Sequence, residues 1–139
     1  MSIYTTARQI NGRINARVDY VSDEAQYGTP EHWAAAVKAG DCEDYALAKF
    51  DALIAAGVPR EAMRLAIVFT ETEDGRARLA LRNQGLDVMG DHAVLFVTDD
   101  DGNDWLLDNR HEDVVRGLEG TGYALDRIWN YKLNAWEAA

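Results

Sequence analysis

Residues 40–59, GDCEDYALAKFDALIAAGVP, decide how the rest of the chain is read. Ala46, Leu47, Phe50, Leu53 and Ile54 recur at three- and four-residue spacing, which describes the apolar stripe of an amphipathic helix. Gly40 closes whatever precedes it, Asp41 is a residue type whose side-chain oxygen caps a first turn, and Gly57 followed by Pro59 is a strong stop signal. The only cysteine of the chain, Cys42, therefore falls in the first turn of this helix, with Asp41, Glu43 and Asp44 around it.

Outward from that helix the periodicity changes. Toward the N-terminus, Ile3, Ala7, Ile10, Ile14 and Val18 form a second helical stripe. VSDEAQYGTP interrupts it, and Thr29-Pro30-Glu31 reads as an N-cap, a first-position proline and an acidic first turn of a short helix through Trp33 and Val37. Toward the C-terminus the period moves from 3.6 to 2. MRLAIVFTE, DHAVLFVTDD and DWLLDN are short, rich in β-branched and aromatic residues and bounded by turn chemistry, so they read as strands. The segment between the first two, residues 71–90, reads as a hairpin excursion or a surface loop, and TGYALDRIWNYKLNAW as one further strand. The expectation is α+β, with N-terminal helices packed on an antiparallel sheet in a single domain spanning residues 1–139.

Composition limits the partners. Fourteen Lys and Arg against twenty-four Asp and Glu leave a formal charge of −10, so a nucleic acid or an anionic membrane surface would meet repulsion; neither is an expected partner. No apolar run is long enough to cross a bilayer, and the first twenty residues lack the apolar core of an export signal, so the chain as written is expected to stay where it is made, as a monomer by default. One cysteine cannot close an internal disulfide or supply a thiolate-rich zinc site. It serves either as a small buried hydrophobe or as a reactive group.

The helix start favours the second use, because unpaired amides and the macrodipole stabilise an anion there. A thiolate nucleophile also needs a base and a group that orients the base. His32, in the short helix, and His111, in the polar NRHED loop, read as exposed imidazoles; His92 differs, because it opens the apolar strand HAVLFV. That strand and WLLDN are joined by TDDDGND and should form a hairpin. A turn centred near Asp100 sets His92 opposite Asp108, and a bulged turn centred one residue later, with Gly102 left-handed, makes them diagonal neighbours. A tight Asp101-Gly102 turn puts them on opposite faces instead. The three acids beside Cys42 have two readings as well: caps of the helix start, or hard oxygen ligands that suit calcium.

GDCEDYALAKFDAL, GVP, DHAVLFV and LLDN, in this order, resemble the bacterial transglutaminase-like cysteine proteinases, whose best-known members clip large surface adhesins in the periplasm. The resemblance runs from INGRIN near Ile10, through QYG and Trp33, to TGYAL. It implies a papain-like or transglutaminase-like core, Cys42 as nucleophile, His92 as general base and then acid, and Asp108 orienting the imidazole. It further implies a protein or peptide substrate, a thioester intermediate, calcium at Asp41 and Glu43 with Asp44 as a further candidate ligand, no organic cofactor, and a periplasmic location. Residues 71–90 look longer than usual for the family, and the missing export signal sits poorly with that location. Asn15 and Trp33 read as a helix-capping residue and a core residue, with roles at the oxyanion or the cleft wall as the alternatives. Two other functions stay open: an amidase or transglutaminase-type acyl transferase on peptides, and a silent module of the same fold that grips calcium or a partner.

Overall fold

A computed structural model describes residues 2–17, 19–20, 39–40, 42–130 and 135–138. Its elements in chain order are α1 (Ile3–Arg17), β1 (Asp19–Tyr20), β2 (Ala39–Gly40), α2 (Cys42–Ala55), a 3₁₀ turn (Arg60–Ala62), β3 (Met63–Phe69), α3 (Glu73–Asn83), β4 (His92–Thr98), β5 (Asp104–Leu107), β6 (Val115–Arg116), β7 (Ala124–Asn130) and β8 (Ala135–Ala138). β6, β5, β4, β3, β7 and β8 lie side by side in that order as an antiparallel sheet, while β1 and β2 form a small parallel pair. The helix expected through Trp33 and Val37, together with His32, lies outside the described residues.

α1 and α2 cover one face of the sheet. Ala7 and Ile10 of α1, Ala46, Phe50 and Leu53 of α2, and Met63, Leu65, Leu95, Val97 and Leu107 of the strands bury each other there. Alternation along β3 and β4 sends Ala66, Val68, Val94 and Phe96 to the opposite face, where they meet Leu106 and Tyr123. α2 ends as its sequence dictates: Gly57 adopts φ +92°, and the amides of Gly57 and Val58 return to the carbonyls of Ile54 and Leu53 at 3.0 Å each. The stripe read from sequence is rotated slightly, because Ile54 is exposed while Tyr45, Ala48 and Lys49 are buried.

Two expectations are corrected. Residues 71–90 hold neither a hairpin nor only a loop: they contain α3, capped by the Thr72 hydroxyl, which accepts from the Gly75 amide at 3.1 Å. The C-terminal segment supplies two strands, β7 and β8, paired as a hairpin with Trp129 opposite Trp136 and their rings 5.2 Å apart. α3 therefore interrupts the sheet in sequence between β3 and β4, so the helices do not all come first. Among the described residues, no helix is long and apolar enough to cross a membrane.

Candidate active site

Three elements bring the chemistry together: the start of α2, the start of β4 and the end of β5. Cys42 is the first residue of α2, 8% exposed, and packs against Ile67 of β3 and Ala93 of β4. Its sulfur accepts a hydrogen bond from the Ala93 amide at 3.3 Å, which sets the thiol beside the residue that follows His92. The thiol donates toward Glu43, with Sγ 3.8 Å from Oε2.

His92 is placed by backbone features on both sides of it. Asp91 accepts from the Thr70 amide at 2.8 Å and the Thr70 hydroxyl at 2.5 Å, joining the start of β4 to the end of β3. Gly90 lies so near the Val68 carbonyl oxygen that a Cβ would stand 2.4 Å from it, so only glycine fits where the chain turns into β4. Opposite His92, the pairing of β3 with β7 slips between Ile67 and Val68, an irregularity of the kind that re-aims side chains beside functional sites.

The hairpin settles the relation between His92 and Asp108. Leu95 pairs with Leu107 and Thr98 with Asp104, so the turn is centred on Asp101, and Gly102 takes φ +86°. Continued by one pair, this register sets Asp108 beside Val94, two residues from His92 and on the same face. His92 Nε2 and Asp108 Oδ1 are 2.5 Å apart, both residues buried. With Nε2 turned to the carboxylate, Nδ1 is the ring nitrogen left to exchange a proton with another group.

Asp108 is held by more than the imidazole. Tyr123 donates its hydroxyl to Oδ2 at 2.6 Å, and the Arg110 amide donates to Oδ1 at 3.1 Å. Burial pushes the carboxyl up, but hydrogen bonds from His92, Tyr123 and the Arg110 amide, with the charge of His92, outweigh it and bring it from the usual 3.8 to about 2. The acid is therefore ionised at neutral pH. Burial first, and then the bond to Asp108 and its charge, push the Tyr123 phenol well above its ordinary value, so it stays a donor. Arg110 braces the group from outside, pairing with Glu71 at 2.6 Å and donating to the Tyr123 oxygen at 3.1 Å.

Spacing in sequence could not reveal Tyr123 or Arg110, whose contacts to Asp108 and Glu71 cross the fold. TGYAL was the one available hint. His111 is not the exposed imidazole expected: it is one-third exposed, with Nε2 3.6 Å from Asp108 Oδ2. Asn15 is neither a cap nor an oxyanion donor, since its amide donates to the carbonyls of Asp108 (3.0 Å) and His111 (3.1 Å) and pins the loop after β5 to α1.

Beside Cys42 and His92 opens a pocket of about 180 Å³ lined by Glu43, Ile67, Arg78, Met89, Gly90, Asp91 and His92. α3 builds part of its wall, because Arg78 and Arg82 donate to the carbonyls of Met89 and Val88 at 3.2 and 2.6 Å and fix the loop leading to His92. Of the candidate calcium ligands, Glu43 and Asp44 occupy the first turn of α2, Asp44 wholly buried, and Asp41 lies outside the described residues. Among the described residues, no three or more His, Cys, Asp or Glu side chains gather as a metal-binding group. Carboxylate oxygens suit calcium chemically, and of the three candidate acids Glu43 and Asp44 are the two among the described residues.

Comparison with known proteins agrees with this architecture. Over 97% of its length the chain superposes on calcium-bound LapG of Legionella pneumophila with a TM-score of 0.68 at 20% identity, covering 68% of that chain. EGTA-treated LapG gives 0.66 at 20% identity over 97% of this chain and 66% of that one, and a further LapG structure gives 0.64 at 19% over 91% and 65%. The chain thus spans about two thirds of the length of these structures, and at such identity the likeness shows a shared fold. No curated protein matches. The sequence profile of the bacterial transglutaminase-like cysteine proteinases matches residues 2–91, which hold Cys42 and the loop into His92; the chain belongs to that family.

Proposed function

We propose that the protein is a cysteine peptidase that cleaves a peptide bond in a protein substrate with Cys42, His92 and Asp108. The observation that carries this reading is the buried His92–Asp108 pair, with the Cys42 sulfur bonded to the amide of the next residue, Ala93. Family membership supports the same chemistry. His92 Nδ1 takes the thiol proton, while Asp108 accepts from Nε2–H and stabilises the imidazolium that forms. The Cys42 sulfur attacks the carbonyl carbon, and the tetrahedral oxyanion is held by backbone amide at the start of α2. Collapse expels the amine, which takes the proton from His92 and leaves a thioester. Water, deprotonated by the same imidazole, then releases the acid and restores the thiol.

The substrate class proposed, by resemblance to the family, is a surface adhesin, and the compartment proposed on the same resemblance is the periplasm. Asp41, Glu43 and Asp44 are proposed as calcium ligands, supported by the calcium-bound and EGTA-treated states of the similar LapG structures and by the two carboxylates of the first α2 turn. A bound dication would offset the acids next to the thiol and fix the loop that carries it.

The test is turnover of a protein substrate by wild type and Cys42→Ser, with EGTA and with added calcium. Complete loss in the variant, with Tm within a few degrees of wild type, is expected. Retained cleavage would refute the nucleophile, and indifference to chelation would remove the calcium.

A further inference from the structure

Each of the four residues ahead of His92 is held by a group from elsewhere in the fold. The carbonyls of Val88 and Met89 accept from Arg82 and Arg78 of α3 at 2.6 and 3.2 Å. The Gly90 amide donates to Asp126 Oδ2 of β7 at 2.8 Å, and the Asp91 carboxylate accepts from the Thr70 amide and hydroxyl.

Asp126 is the member that the fold is bent to supply. β3 pairs Ile67 with Arg127 and Val68 with Leu125, so Asp126 is the extra residue of the slip and has no counterpart on β3. A bulge of this kind turns a side chain out of the regular alternation of its strand. Here it delivers a buried carboxylate, with Arg82 2.6 Å from Oδ1 and Arg127 2.9 Å from Oδ2. A buried carboxylate is costly unless it is paired and hydrogen-bonded, and two guanidinium groups and the Gly90 amide meet that need. An apolar residue in regular pairing would hold β7 on β3 at lower cost, so the acid is explained by what it grips. Gly90 itself lies over the Val68 carbonyl, where no Cβ fits, and Val68 borders the same slip. Bulge, acid and glycine therefore meet two residues before His92.

We propose that Asp126 is a positioning residue of the reaction: through the Gly90 amide, and braced by Arg82 of α3, it fixes where β4 begins and so holds the His92 ring against Asp108. The proposal rests on the peptidase reading above. It also gives α3 a use, because only Gly75 of that helix is buried, while its two arginines reach the loop before His92. A ring displaced by a fraction of an ångström loses the aligned bond to Asp108 and the proton transfer that the bond serves.

The experiment uses the full chain labelled with ¹⁵N-histidine and follows exchange with water of the His92 Nε2–H proton by NMR, the signal being assigned by its loss in His92→Ala. In Asp126→Ala this proton should exchange about tenfold faster or more, while the backbone amides of Leu95 and Val97, further along β4, keep their wild-type protection. Asp126→Asn, which retains a carbonyl acceptor for the Gly90 amide, should stay within about threefold of wild type. A merely structural Asp126 would loosen ring proton and strand amides together. A ring proton unchanged in Asp126→Ala, one that quickens no more than the Leu95 and Val97 amides, or an asparagine variant as loose as the alanine one would overturn the proposal. Where Asp126→Ala does not fold, Arg82→Met, which deletes the brace on Asp126 and the bond to Val88, is measured with the same expectation. A wild type without a protected His92 ring proton lacks the pair with Asp108, and the peptidase reading falls with it; a proton protected alike in wild type and Asp126→Ala removes the role of Asp126 alone.

Discussion

The β4–β5 hairpin carries an aspartate at each end, and the two are used in opposite ways. At the turn, Asp99 lies near the surface and accepts from the amides of Asp101 and Asn103 at 2.9 Å and from the Trp105 indole at 2.8 Å. At the open end Asp108 is buried, and its side-chain partners are His92, at the start of the facing strand, and Tyr123, from beyond the hairpin. Both carboxyls are held below the ordinary value, Asp99 chiefly by its bond from Trp105, Asp108 by His92, Tyr123 and the Arg110 amide acting against burial. A depressed carboxyl is thus no mark of function. What separates the two is the partner: Asp99 fastens its own turn, while Asp108 fixes the ring that would move a proton.

Asp108→Asn should produce the largest difference between the two ends. The amide keeps the shape but favours the wrong imidazole tautomer, a change that costs about 10⁴-fold in the serine-protease case and is expected here to lower kcat by about 10² to 10⁴. The same variant should flatten the acid side of the stability curve. Because the folded value of Asp108 lies below the unfolded one, its contribution is complete above about pH 4 and disappears as pH falls toward 2. Tm measured from neutral to acid pH in wild type and variant checks the sign. A variant within threefold of wild-type turnover would make Asp108 another structural acid.

Tyr123→Phe comes next. It removes one donor to Oδ2 and leaves His92 bonded to Oδ1, so kcat should fall about tenfold, the equivalent of one charge-assisted hydrogen bond. The smallest effect is expected from Asp99→Ala, which should lower Tm by a few degrees and leave kcat/KM within about twofold. Loss of turnover in that variant would mean that the far turn controls the site through the hairpin, and the contrast between the ends would fail.

The parts legible in the sequence are those written in local patterns. α2 was readable from its apolar stripe and its Gly57-Pro59 stop, and β3, β4 and the existence of their neighbouring hairpin from short apolar runs and the turn at Gly102, whereas the hairpin register stayed open among three turns until the pairing of β4 with β5 fixed it. α3 was missed because EDGRARLALRN carries charge on most of its surface and buries only Gly75, so the apolar period was too weak, although the Thr72 cap and the two acids after it marked its start. Tyr123, Arg110 and Asn15 were not legible as partners of the Asp108 region, since the contacts of Tyr123 and Asn15 span 15 to 96 residues of chain and leave no periodic trace. Lys49 hid inside a helix whose stripe, drawn from apolar residues alone, passed it by.

The central claim is that the His92–Asp108 pair activates the Cys42 thiol. It is tested most directly by the second-order rate of iodoacetamide alkylation at Cys42 near pH 6, measured for wild type and His92→Ala and normalised to each protein unfolded in urea. The folded wild type should react at least about tenfold faster than His92→Ala, with the unfolded proteins equal, because a thiol of ordinary pKa near 8.5 is almost wholly protonated at that pH. Equal folded rates would contradict the account and leave Cys42 a buried thiol at the start of a helix.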